Sequence, residues 1–159
     1  MTYNNDRRKE GANMGEGAKV FCEHCGFEST ILEGSGFLYP SLIKELKERA
    51  LHGEFGDKLK AVIEANPDGM INGENILYVC GKCGNWHAEP KLSYYIPTVK
   101  DAYFEDSHTT KRLYTHRHRC EKCNSVMHMH NTNEGEALEL NCPECGSRLM
   151  VSEMDIDWD

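Results

Sequence analysis

The stretch Cys120-Glu-Lys-Cys123, followed after residues 124–141 by Cys142-Pro-Glu-Cys145, decides how this chain folds. The same C-x-x-C spacing occurs at Cys22-Glu-His-Cys25 and at Cys80-Gly-Lys-Cys83, and these four pairs use all 8 cysteines. Two residues between ligands let one tight turn direct both sulfurs at one metal ion, whereas a disulfide framework has no need of such pairs. The sequence therefore predicts two structural zinc ions, each held by four cysteine thiolates.

Each C-x-x-C pair is followed by a residue that tolerates a positive φ angle. These residues are Gly26, Gly84, Asn124 and Gly146. The chain must reverse sharply after the second ligand, and glycine or asparagine does so at little energetic cost. This recurrence is independent evidence for four metal-binding turns, which we call knuckles.

The segment 113–152 resembles a zinc ribbon. Its two knuckles are separated by 18 residues (124–141), which is within the spacing of that family, and the second knuckle reads Cys-Pro-x-Cys-Gly. The first half resembles a ribbon whose knuckles are 54 residues apart (26–79), and a helical insert would account for the excess. The resemblance implies antiparallel β-hairpins around closed four-cysteine zinc sites, and it implies little about activity.

A helical pattern lies between the first two knuckles. It begins near Pro40 and ends at Gly53, and its apolar stripe consists of Leu42, Ile43, Leu46 and Ala50. A second helix follows from Asp57 and ends at the turn Asn66-Pro67-Asp68-Gly69. We expect this inserted αα-hairpin to pack its apolar face on the ribbon. A partner-binding groove is the alternative.

These elements predict a small, zinc-stabilised α+β protein made of two zinc ribbons, the first carrying the αα-hairpin. The expected divisions are a disordered tail (1–18), an N-terminal ribbon with the helical insert (19–97), a linker (98–112) and a C-terminal ribbon (113–159). Strands are expected beside the knuckles at 76–79, 86–96, 113–119, 126–130, 137–140 and 149–151, with a turn at 131–135.

Four knuckles can pair around two metal ions in three ways. Loop-closure entropy does not choose among them, because a threefold change in loop length costs only about 1 kcal/mol. Local hairpin geometry favours neighbouring knuckles, so that the first pairs with the second and the third with the fourth. The division into two consecutive ribbons depends on this pairing.

The chain of 159 residues carries a formal charge of −8. A Zn²⁺ ion with four thiolates adds 2 − 4 = −2, so two sites would bring the folded protein to about −12. Such a protein is a poor general binder of nucleic acid. The polar N-terminal residues predict no secretory signal, and no apolar run predicts a membrane helix. We expect a soluble, cytoplasmic protein whose thiols stay reduced.

One basic stretch interrupts this acidity. It contains Lys111, Arg112, Arg117, Arg119 and Lys122, together with His116, His118, His128 and His130. If His116 lies opposite His128 on paired strands, all four imidazoles share a face, and a shift of one residue separates them. We expect one exposed four-histidine face. The stretch is either a nucleic-acid or anion contact surface or a solvated face balanced by neighbouring acidic residues.

The favoured functional prediction is a non-enzymatic interaction or regulatory adaptor that binds a protein partner. Closed four-thiolate sites leave no open metal position, and the knuckles lie between strands rather than at the helix start that redox catalysis requires. No small-molecule substrate is indicated. The alternative is a nucleic-acid-associated zinc ribbon protein, with a transcription- or RNA-related role, that uses the basic hairpin. The terminal Trp158 either docks on the ribbon or serves as a peptide motif.

Overall fold

The computed structural model describes residues 15–34, 39–102, 107–130 and 138–158. The helices are α1 (Tyr39–Leu51) and α2 (Asp57–Ala65). The strands are β1 (Gly15–Phe21), β2 (Glu28–Glu33), β3 (Met70–Asn72), β4 (Asn75–Cys80), β5 (Trp86–Pro90), β6 (Ser93–Pro97), β7 (Thr110–Tyr114), β8 (Met127–Met129) and β9 (Met150–Trp158). They form three antiparallel sheets in the orders β2-β1-β9, β3-β6-β7 and β5-β4-β8. The predicted α+β class is confirmed.

The two predicted helices between the first and second knuckles are confirmed. Their apolar stripes meet in one cluster whose fully buried helical members are Leu46, Ala50, Leu59 and Ile63. The cluster continues through Ile71 and Tyr94 of the β3-β6-β7 sheet. The helices therefore pack on a sheet that carries no cysteine, rather than directly on the strands that lead into the knuckles.

Strand β4 separates two further clusters. Leu77 belongs to a cluster with Val20 and Ile31 of the β2-β1-β9 sheet, whereas Tyr78 belongs to a cluster with Met127. Successive side chains of a strand point to opposite faces, so a strand that is covered on both sides reads as a continuous apolar run. That is why Ile76–Val79 is apolar without alternation.

Several predicted boundaries differ from the structure. Residues 15–18 of the predicted tail belong to β1, while residues 1–14 lie outside the described residues. Residues 110–112 of the predicted linker belong to β7, which pairs with β6 through Pro97 and Thr110. The predicted turn at 131–135 also lies outside the described residues.

The C-terminal strand returns to the start of the described chain. Strand β9 pairs with β1 from Phe21–Met150 to Gly15–Trp158, with one irregularity in the register. The backbone at Trp158 therefore docks on the β2-β1-β9 sheet. In the described part of the chain, no helix has the length and apolar character needed to span a membrane.

A close approach at Gly69 fixes the position of the helical cluster. A Cβ atom added at Gly69 would lie 2.6 Å from Cζ and 2.7 Å from Oη of Tyr94. The Tyr94 ring is fully buried, and its hydroxyl donates a hydrogen bond of 2.6 Å to the carbonyl oxygen of Asn66. The ring therefore has little room to move away from a larger residue.

We predict that Gly69→Ala lowers the free energy of unfolding by about 1–3 kcal/mol, because the added methyl group overpacks Tyr94. Denaturant unfolding of the metal-loaded protein measures the change. Gly81→Ala is the matched control, since its added Cβ would meet only His128, at an ordinary 3.7 Å. Equal stability losses in the two variants would contradict the role of the Gly69–Tyr94 contact.

Candidate metal centres

The eight cysteine sulfurs gather into two groups of four. Site A consists of Cys22, Cys25, Cys142 and Cys145, and site B consists of Cys80, Cys83, Cys120 and Cys123. The four sulfurs within each site all lie within 4.8 Å of one another. All eight cysteines are free of disulfide bonds.

The sulfur positions fit a tetrahedral metal ion. In site A the distances Cys22 Sγ–Cys145 Sγ and Cys25 Sγ–Cys142 Sγ are both 3.5 Å. The corresponding pairs in site B are 3.4 and 3.5 Å apart. A zinc–sulfur bond of about 2.3 Å implies a sulfur–sulfur edge of about 3.8 Å in a tetrahedron. Each site can therefore hold one metal ion, and a donor set of four soft thiolates suits zinc or iron.

The predicted pairing of neighbouring knuckles is wrong. The first knuckle shares site A with the fourth, and the second shares site B with the third. The strands explain this arrangement: β9 lies beside β1, which enters the first knuckle, and β8 lies beside β4, which enters the second. The prediction of two consecutive ribbons thereby loses its basis, because each site takes ligands from both sides of the predicted linker.

The four knuckles have the same backbone hydrogen bonds. In the first, the N–H of Cys22 donates to the carbonyl oxygen of Phe27, and the N–H of Gly26 donates to that of Cys22. Equivalent pairs of bonds close the other three turns. The predicted positive φ angles are confirmed at +79° for Gly26, +75° for Gly84, +58° for Asn124 and +77° for Gly146. Each knuckle is thus a complete local unit that presents two sulfurs.

Each knuckle buries its first cysteine and leaves the second nearer to solvent. Cys22 and Cys142 belong to the cluster around Val20, and Cys80 and Cys120 belong to the cluster around Tyr78. Of the second cysteines, Cys25, Cys83 and Cys145 are exposed and Cys123 is half-buried. Each metal position therefore lies at the edge of an apolar cluster, with one side toward the surface.

Two serines that the sequence reading missed stabilise thiolates. The hydroxyl and the backbone N–H of Ser125 lower the pKa of Cys123 to about 6, and Ser147 does the same for Cys145. Both serines lie two positions after the second cysteine of their knuckle, and this repetition is the signal that sequence analysis could have used. Hydrogen-bond donors around a thiolate favour the ionised form that a metal requires.

In the other knuckle of each site, the thiol of the second cysteine holds its proton more strongly. Backbone N–H groups of Phe27 and Asn85 lower the pKa values of Cys25 and Cys83. Desolvation and the neighbouring thiols outweigh this effect and raise these pKa values to about 12 and about 11. Within one quartet, each ionised thiolate disfavours ionisation of its neighbours. A bound cation removes this repulsion, so metal binding must release protons.

A further hydrogen bond crosses between the knuckles of site B. The side-chain amide of Asn85 donates to Cys120 Sγ at 3.7 Å. Asn85 belongs to the second knuckle and Cys120 to the third, so this contact orients one knuckle relative to the other. It was not predicted, because it depends on the pairing.

A buried histidine, His118, holds the chain before the third knuckle in place by stacking and polar contacts. The His118 ring stacks on Tyr78 with 3.8 Å between centroids, and its Nε2 lies 3.1 Å from the carbonyl oxygen of Lys91. Its Nδ1 contacts the carboxylate of Glu89, which also lies 3.2 Å from His87 Nε2. Burial would raise the pKa of Glu89, but the hydrogen bond and charge of His118 hold it below the ordinary value.

The predicted four-histidine face is wrong. His118 is only 4% exposed. The bridge between Arg119 and Val126, and the bond from the N–H of Met127 to the carbonyl oxygen of His118, place His118 opposite Met127. In this register His116 does not lie opposite His128, because the pairing is shifted by one residue.

The residues predicted to contact nucleic acid or anions differ in their exposure. Five basic residues are exposed, namely Lys111, Arg112, Arg117, Arg119 and Lys122. His128 is also exposed, whereas His116 and His130 are half-buried. His116 Nδ1 lies 3.0 Å from the hydroxyl oxygen of Tyr114, and burial lowers the pKa of His116.

No family model, curated protein or solved structure matches this chain. Two quartets of paired cysteines lie within metal-binding distance, which is the arrangement of a zinc-ribbon-like site.

The pairing of the knuckles can be checked by counting metal ions in two double variants. We predict that Cys22→Ser/Cys145→Ser retains one ion per chain, because both changes fall in site A. Cys22→Ser/Cys80→Ser should retain none when a competing chelator is present, because each site then keeps only three thiolates. Elemental analysis of protein purified under reducing conditions gives the counts. The reverse result, with one ion in the second variant, would restore the pairing of neighbouring knuckles.

The contact between Glu89 and His118 beside site B should stabilise the folded protein. We predict that Glu89→Leu lowers the free energy of unfolding by about 1–3 kcal/mol, since it leaves the buried His118 Nδ1 without its hydrogen-bond partner. Glu64→Leu is the control, because Glu64 pairs with Lys60 at 3.9 Å on the surface and should change stability by about 0.5 kcal/mol or less. Urea unfolding at neutral pH measures both. Similar small changes in the two variants would contradict the role of Glu89.

Proposed function

We propose that this protein is a non-enzymatic interaction adaptor whose fold depends on two structural zinc ions. The observation that carries this proposal is that the first cysteine of every knuckle is also a core residue. Cys22 and Cys142 are 2% and 3% exposed, and Cys80 and Cys120 are 1% and 2% exposed. An ion at either site therefore completes an apolar cluster and closes its own coordination sphere at the same time.

A structural role follows from this coordination. Four thiolates fill a tetrahedral site, whereas catalytic zinc keeps one position for water or substrate. Zinc suits the sites because it is redox-inert and adopts the tetrahedral geometry that four thiolates impose. The apolar clusters are small, and domains with small cores usually need metal ions or disulfides for stability. Reduced thiols at both sites also support a cytoplasmic location.

The adaptor role is supported by exposed apolar side chains beside the metal sites. Met129 is 54% exposed and Val126 is 38% exposed near the third knuckle. Met150 and Val151, at the start of the edge strand β9, are 45% and 38% exposed. Methionine is among the residues enriched at protein interfaces, so the two methionines in particular suit contact with another protein.

Metal content and metal accessibility test the structural part of the proposal. We predict two zinc ions per chain, and loss of the folded state when a strong chelator removes them. Cobalt-substituted protein should show the absorption of a tetrahedral thiolate site, and that spectrum should not change when azide or imidazole is added. Iron in the purified protein would contradict zinc, and a spectral response to added ligands would reveal an open, catalytic type of site.

Cross-linking in the native cell tests the adaptor part. The intact protein should capture a partner in defined proportion, and Met129→Ser/Met150→Ser should lose that partner while retaining both metal ions. Lys44→Gln/Lys58→Gln, which alters exposed helix positions, is the control. Capture that is the same in all three proteins would show that these apolar residues are not the contact surface.

A further inference from the structure

Because of the pairing, the turns that contain lysine lie together at site B, and two turns that contain glutamate and no lysine lie together at site A. Site B joins the turns Cys80-Gly-Lys-Cys83 and Cys120-Glu-Lys-Cys123, which place Lys82 and Lys122 at equivalent positions. Site A joins turns that contain Glu23 and Glu144. The side-chain charge of the turns is therefore 2 − 1 = +1 at site B, counting Glu121, and −2 at site A.

The chain entering the third knuckle extends this positive surface. Arg119 lies opposite Val126 in an isolated bridge, and Arg117 and His128 lie two positions from this pair. All four residues are exposed, whereas His118 and Met127 are buried. The alternation thus separates exposed basic side chains from His118 and Met127, which contact Tyr78 or belong to its cluster.

We call Lys82, Arg117, Arg119, Lys122 and His128 the basic face. In the part of the chain that the structure describes, none of its lysines or arginines forms a salt bridge. Arg119 donates a hydrogen bond to the carbonyl oxygen of Asn124, which orients its guanidinium without neutralising it. By contrast, Arg148 near site A is paired with Glu139 at 2.9 Å.

The surroundings of the two metal sites differ in charge even when bound zinc is included. Each zinc tetrathiolate contributes −2. Counting the turns and the metal alone, site B carries +1 − 2 = −1 and site A carries −2 − 2 = −4. The exposed Arg117 and Arg119 bring the site B surface to +1, whereas Arg148 near site A is balanced by Glu139. A polyanion is therefore attracted to the site B surface rather than to the site A surface.

We propose that the basic face binds the phosphate backbone of nucleic acid, a role that goes beyond the adaptor function. Its cations are spread over two turns and one hairpin, which suits a polymer with evenly spaced charges. Arginine and lysine are the usual phosphate ligands in proteins. Contacts to phosphate carry no sequence information, so binding through these cations should not depend on sequence.

Fluorescence anisotropy with labelled oligonucleotides tests the proposal. The probes are single-stranded RNA, single-stranded DNA and duplex DNA of equal length, with a polyglutamate peptide as the competing partner class. The zinc-loaded protein should bind the nucleic acids at low salt, with an affinity that falls linearly on a logarithmic salt scale. Lys82→Gln/Lys122→Gln should weaken binding about tenfold and reduce the single-strand slope by about 1.4, since each phosphate contact contributes about 0.7.

The matched control is Lys44→Gln/Lys58→Gln, which removes the same charge from exposed positions on the helices. It should leave the affinity within about twofold of the original. The equivalent turn positions in site A hold His24 and Glu144, so a lysine is not required there for metal binding, and the metal content of every variant is measured alongside. Arg117→Gln/Arg119→Gln provides a second variant outside the turns.

Three results would overturn the proposal. The first is no binding to any oligonucleotide at low salt. The second is an equal loss of affinity in the basic-face and helix variants, which would show an effect of net charge alone. The third is preferential binding of polyglutamate, which would assign the basic face to an acidic protein partner.

Discussion

The joining of two distant knuckles by one metal ion is the constraint on which the rest of the structure depends. Site A connects cysteines separated by 123 and 117 positions, and site B, which lies within that loop, connects cysteines separated by 43 and 37. Closing so long a loop costs only slightly more entropy than closing a short one. The free energy of metal binding is therefore available to stabilise strand pairs that are far apart in sequence, such as β1 with β9.

The metal sites and the apolar clusters stabilise each other. Strand β4 lies between the cluster that contains Cys22 and the cluster that contains Cys80. Strand β2 is tied to it by paired backbone hydrogen bonds of 2.9 Å between Gly34 and Asn75. Distortion at one metal site would thus reach the other through β4, although each site has its own ligands. The helical cluster around Leu46 contains no cysteine and depends less directly on metal.

Sequence reasoning succeeded where the signal is local and failed where it depends on the partner of a segment. The cysteine ligands, the positive φ angles, both helices and β4 follow from spacing and residue type. The pairing does not, because all four knuckles close with the same hydrogen bonds, and nothing within a knuckle identifies its partner. The histidine face failed for a related reason: the Arg119–Val126 bridge and the His118–Met127 pair leave His116 one residue out of line with His128.

The charge asymmetry between the two sites is a product of this pairing and is hidden in the linear sequence. If neighbouring knuckles shared a metal, Glu23 would accompany Lys82, and Glu144 would accompany Glu121 and Lys122. Those turns would carry 0 and −1, so neither site would differ much from the other. The observed pairing gives −2 and +1 from the same residues. The arrangement that fixes the fold therefore also separates the charges of the turns between the two sites, because each metal ion determines which turns lie together.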